Sequence, residues 1–178
     1  MNNIRVIIWL FPIIFIFHDF EEIIFMQVWI SKNRHYLGEK FPKLSKKLLP
    51  HFNNITTSSF AVGVVEEFII ICIITIFSYV MNWYSLWLGL FIAFTFHLFV
   101  HCIQTLLVRK YVPAIVTSII CLPVCVYIIK YIVQFFRPGT VAIYAILSMA
   151  IMVVNLGIIH KFMDIFSKWL AQYEHSSR

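Results

Sequence analysis

Long apolar runs govern what this chain can become. Segments able to cross about 30 Å of hydrocarbon, roughly 20 residues of helix, are predicted near residues 5–30, 55–80, 84–108, 111–136 and 139–166. In lipid the backbone must satisfy its own hydrogen bonds, which a helix does within a single segment. The expected fold class is therefore all-α: a polytopic membrane helix bundle of about five transmembrane helices, forming a single transmembrane domain over residues 1–178. Composition agrees, with 61% hydrophobic and 12% charged residues, against roughly 45–50% and 25% in soluble domains. The longest stretch between spans, a basic loop at 31–52, is too short for a soluble domain.

Sorting the cations by loop gives the orientation. Lys32, Arg34, Lys40, Lys43, Lys46, Lys47, Arg109, Lys110, Lys161, Lys168 and Arg178 fall on one side, and Arg5, Lys130 and Arg137 on the other. The positive-inside rule then predicts an N-terminus outside, a cytoplasmic 31–52 loop and a short cytoplasmic tail at 167–178. Trp83, Tyr84 and Trp87 are expected in the outer aromatic belt, Trp29 and Trp169 in the inner one. Within the first loop, Leu44, Leu48 and Leu49 lie among Lys43, Lys46 and Lys47 between Pro42 and Pro50. That pattern suits either an amphipathic turn on the anionic leaflet or a topology signal alone, and the few leucines favour the signal. The net charge of +6 follows from this asymmetry and gives no support for nucleic-acid binding.

Cys72, Cys102, Cys121 and Cys125 all lie within apolar spans and are expected as small hydrophobic filling. The N-terminal run has one early cation, Arg5, and no small-residue cleavage site after it, so the first span is expected to be retained.

Three of the spans carry ionisable residues near their centres: His18, Glu21 and Glu22; Glu66 and Glu67; His97 and His101. A charge at the bilayer midplane costs about 2.5–3.5 kcal/mol on insertion scales, so four ionised, unpaired glutamates would cost about 10 kcal/mol. At a helical rise of about 1.5 Å per residue, all seven fall roughly 9–18 Å from the cytoplasmic ends. His18 stands i,i+3 and i,i+4 from Glu21 and Glu22, and His97 i,i+4 from His101, spacings that put side chains on one face. A shared intramembrane site is the economical reading. Glu66 and Glu67 diverge by about 100° on a helix, so one is expected to face the site and the other a flanking helix or water. Asp19, similarly turned away from His18, is expected only to cap or hydrate its helix. Thr117, Ser118 and Asn155 are expected as helix-to-helix hydrogen bonders, and His160 and Asp164 as an interfacial pair.

Imidazole and carboxylate together suit a divalent metal, Zn or Fe most readily, with Mn also possible, and not soft Cu(I). The expected ligand set is His18, Glu21, Glu22, Glu66, Glu67, His97 and His101, with one ion or two. Glu22 or Glu67 is expected as the catalytic general base.

His18-Asp19-Phe20-Glu21-Glu22, a later histidine-bearing span and Tyr111-Val112-Pro113-Ala114 together resemble the HXXEE family of bacterial membrane proteins over roughly residues 10–160. That family is defined by H-x-x-E-E, a further histidine and Y-x-P-G. The resemblance implies a multi-pass protein of the bacterial plasma membrane, of unestablished function and suggested to be enzymatic. It implies roles for His18, Glu21 and Glu22, for His101 or His97, and for Tyr111 and Pro113. Ala114 replaces the family's glycine, which is expected to mean a slightly less close backbone approach.

The function expected is a metal-dependent enzyme of hydrolase, transferase or oxygenase type, acting on a lipid or other hydrophobic substrate among membrane lipids. The alternatives are a metal-independent acid/base isomerase or cyclase, and a small metal or proton transporter. No inverted repeat or broken helix pair supports transport.

Overall fold

The computed structural model describes residues 2–176, and of Asn2, Leu48, His51, Asn53 and Glu174 to Ser176 the backbone alone. Arg178 and the end of the expected 167–178 tail lie outside the described residues. Among the described residues there are helices and no strands: α1 (Asn2–Ile7), α2 (Leu10–Lys40), α3 (Pro42–Asn54), α4 (Thr57–Met81), α5 (Tyr84–Val108), α6 (Ile115–Val133) and α7 (Pro138–Ser176). Helices α4, α5, α6 and α7 are each long and apolar enough to cross a membrane. The fifth long helix, α2, has 31 residues but carries Asp19, Glu21 and Glu22 in the middle of its apolar run. All three acids are buried among the other helices.

The five long helices close a ring in the order α2, α4, α7, α5, α6, with α5 also reaching across to α4 and α2. Small residues permit the tightest approaches. A Cβ on Gly89 would stand 2.6 Å from the Tyr144 carbonyl oxygen, and one on Gly63 would stand 2.8 Å from the Met163 sulfur, so both glycines let α7 dock. At one end of the ring Phe11 packs edge-on to Trp87 and Phe91, which stack on each other with centroids 4.7 Å apart.

Several expectations are corrected by this packing. The first span is not one helix from residue 5, because α1 ends at Ile7 and α2 begins at Leu10. Pro12 has no N–H for the Ile8 carbonyl, which accepts instead from the Phe11 N–H at 3.3 Å and from the Trp87 indole N–H at 3.1 Å. Trp87, expected in the outer belt, is thereby drawn into the core at 0% exposure. Tyr84 is buried as well, its hydroxyl donating to Asn82 and accepting from Arg5. The 31–52 loop is helical: α2 runs on to Lys40, and α3 follows after a break at Phe41. The extension has a physical cause, since the Tyr36 hydroxyl and the Lys40 ammonium both donate to the Val108 carbonyl, at 2.7 and 2.8 Å, near the open C-terminus of α5. Lys43, Leu44, Lys46 and Lys47 are exposed along α3, so the basic residues of this segment are carried on a helix. The tail likewise continues α7 as helix.

Candidate metal centre

Helix α2 turns His18 and Glu21 toward the start of α6, and one hydroxyl there settles what both do. Glu21 Oε1 accepts from the Tyr111 hydroxyl at 2.6 Å and from the Val116 N–H at 3.4 Å. Its Oε2 accepts from the Thr117 N–H at 2.8 Å and from the Thr117 hydroxyl at 2.7 Å. The carboxylate thus satisfies two of the free N–H groups at the α6 N-terminus, where the helix dipole also favours a negative charge. Burial and the neighbouring Glu21 carboxylate push the Tyr111 phenol above its ordinary value, which keeps it a donor. Glu21, expected as a metal ligand, is committed to this cap and its oxygens are fully engaged.

The Thr117 hydroxyl also lies 3.1 Å from His18 Nδ1. Its single proton goes to the Glu21 carboxylate, so its oxygen accepts from Nδ1–H. That assigns the tautomer of His18 and leaves a lone pair on Nε2, which is buried and has no hydrogen-bond partner among the described residues. The ring sits 5.6 Å from that of His97 and 5.1 Å from that of His101.

From α5, His97 and His101 bring their Nε2 atoms to 3.0 Å of each other, and Glu22 Oε1 lies 3.3 Å from His101 Nε2. One nitrogen cannot serve both neighbours with one proton, whereas a cation between them satisfies all three. Ligand nitrogens of His18, His97 and His101 lie within 4.8 Å of one another. Two bonds of about 2.1 Å at a tetrahedral ion span about 3.4 Å; the 3.0 Å between the Nε2 atoms of His97 and His101 lies near that span, and three imidazoles are a donor set that zinc accepts.

The remaining carboxylates lie toward α4 and α7. Glu67 and His97 line a cavity of about 130 Å³ walled mostly by apolar side chains, among them Phe11, Phe15, Phe94 and Leu156. Asn155 also lines it and donates to Glu66 Oε2 at 3.2 Å. Glu67 thus faces the cavity that reaches His97, while Glu66 is held by Asn155 of α7.

Sequence reasoning set aside three residues that matter here. Asp19, expected to cap or hydrate its helix, is 4% exposed, with Oδ2 unpartnered among the described residues and with Glu22 and Glu67 in electrostatic reach. Its signal was present: an aspartate at that depth is as costly as the glutamates, and α2 is packed on more than one side. Thr117 does hydrogen-bond between helices, and in doing so orients a histidine. Ala114 adopts φ 75° and ψ −3° in full burial, a left-handed backbone that favours glycine.

A family model described as a protein of unknown function with HXXEE motif matches residues 9–128. No curated protein and no solved structure matches the chain.

Proposed function

The chain belongs to the HXXEE family, whose description carries no activity, and we propose from its own geometry that it is a membrane-embedded, metal-dependent enzyme acting on a lipid or other hydrophobic substrate. One observation carries this reading: His18, whose buried Nε2 has no hydrogen-bond partner among the described residues, brings a ring nitrogen within 4.8 Å of those of two further imidazoles. His18, His97 and His101 hold the ion, with Glu22 beside them, and Zn or Fe suits that donor set. A bound divalent metal supplies a Lewis acid and water of lowered pKa, the chemistry of hydrolysis or transfer, and a redox-active one opens oxygenase chemistry. Glu22 and Glu67 are the carboxylates placed to take or return a proton, and Thr117 keeps His18 in its binding tautomer. The apolar cavity supports a slender hydrophobic substrate whose polar end reaches Glu67, His97 and Asn155. The protein resides in the bacterial plasma membrane with its basic loops inside.

The proximity of Asp19, Glu22 and Glu67 favours a second reading, a metal-independent isomerase or cyclase in which a protonated acid donates to a lipid double bond.

Elemental analysis by mass spectrometry, on full-length protein purified without chelator, tests the two. Near-stoichiometric Zn or Fe, lost in His18→Ala and His101→Ala, is the expected result. Folded wild type with only trace metal, unchanged in those variants, would leave the acid/base reading in its place. Metal flux into liposomes would mark a transporter and overturn both.

A further inference from the structure

The outer surface between α2 and α6 carries a groove that the metal centre does not use. Its basic end is formed by Trp29, Lys32 and Asn33 of α2 and by Lys110 and Tyr111 of the turn before α6. The turn is fixed to α2: the Trp29 indole N–H donates to the Tyr111 carbonyl, and the Lys110 ammonium stands 3.7 Å from the centre of the Tyr36 ring. Lys32 and Lys110 thus line the same end from separate elements, and no acidic side chain lines this end among the described residues.

Two further pockets follow along the same seam. Phe25 and Tyr111 are shared with a middle stretch that reaches Phe17 and Val116, and Phe17 with a last stretch ending at Val124. Glu21 borders the middle stretch, but its charge is taken up by the four donors described above. Val28, Phe25 and Phe17 are exposed by 68%, 46% and 48%, an apolar track open to the side. From Lys32 to Phe17 the groove runs about 22 Å at a helical rise of about 1.5 Å per residue, comparable with the depth of one leaflet and its headgroups.

We infer that the α2–α6 seam binds one phospholipid with an anionic headgroup, its phosphate between Lys32 and Lys110 and an acyl chain along Phe25 and Phe17. Charge complementarity selects the headgroup: two cations with no nearby acid favour a lipid of net negative charge over a zwitterionic one. Amphipathic Trp29 and Tyr111 flank the position of the glycerol, at the boundary where such rings settle. The site contains none of the proposed metal ligands, although Glu21, Thr117 and Tyr111 border its middle stretch, and it stands whether or not that centre holds an ion.

The test uses the full chain reconstituted in vesicles of equal phosphatidylglycerol and phosphatidylcholine, then released for native mass spectrometry. One phosphatidylglycerol per chain is expected to be retained over phosphatidylcholine. In Lys32→Ala/Lys110→Ala that preference should fall roughly 30-fold, at about 1 kcal/mol per lysine near a surface and 1.36 kcal/mol per tenfold. Lys43→Ala/Lys46→Ala/Lys47→Ala, which strips one more charge and takes all three from α3, should leave it unchanged. Equal retention of both lipids, or an equal loss in the α3 variant, would overturn the site in favour of general surface charge. Displacement by millimolar glycerol 3-phosphate would also overturn it, by showing that the apolar track contributes nothing.

Discussion

Replacing Thr117 by valine separates the proposed role of its hydroxyl from its packing. Valine keeps the side-chain shape and deletes one oxygen, which both donates to Glu21 at 2.7 Å and accepts from His18 Nδ1 at 3.1 Å. Glu21 retains the Tyr111 hydroxyl and the backbone N–H groups at 116 and 117, so the start of α6 persists. Loss of one hydrogen bond to a charged group costs about 1.5–3 kcal/mol of stability. The more telling effect falls on His18, whose tautomer and ring orientation are no longer set. Losing such an orienting partner typically lowers metal affinity by about 10–100-fold, or about 1.4–2.7 kcal/mol. Competition against a chromophoric zinc chelator, with folded protein verified by circular dichroism, measures this directly. Thr117→Ser, which restores the hydroxyl, should recover most of the affinity. Ser118→Ala, on the next residue with a buried and unpartnered hydroxyl, should not change it. Metal affinity in Thr117→Val within twofold of wild type would refute the tautomer assignment and the metal centre built on it.

Ala114→Gly should stabilise the protein by about 0.5–1 kcal/mol, since an alanine at φ 75° bears a left-handed penalty of about 1–2 kcal/mol that glycine's greater unfolded entropy only partly offsets. A higher midpoint of thermal unfolding in detergent is the expected reading. Gly89→Ala should do the reverse, by about 1–3 kcal/mol, because its Cβ would meet the Tyr144 backbone oxygen at 2.6 Å. Gly139→Ala, with nothing within 4 Å, serves as its control in the same melts. Chelation of purified protein should lower the melting temperature, by the equivalent of about 2.7 kcal/mol if the free ion stood at about a hundred times its dissociation constant. The shift should vanish in His18→Ala.

The all-α class, the long apolar helices and the residues worth suspecting were legible in the sequence, because hydrocarbon imposes helix on any long apolar run and makes each internal acid or histidine expensive. Spacing alone also put His97 with His101 and aligned His18 with α2's acids, since helical periodicity is a local property. Partners were not legible. Glu21 and Glu22 are neighbours of identical chemistry, yet one caps α6 and the other faces His101, and the crossing of α6 and α5 over α2 separates them. Trp87 had the composition of a belt residue until Pro12, far away in sequence, left the Ile8 carbonyl for it to take. The 31–52 segment had the polarity of a loop, and it is the open end of α5 that holds Tyr36 and Lys40 in helix. Periodicity assigns a face to a side chain; only the packing of helices distant in sequence assigns what stands opposite it, and here that is the difference between a capping carboxylate and a candidate metal centre.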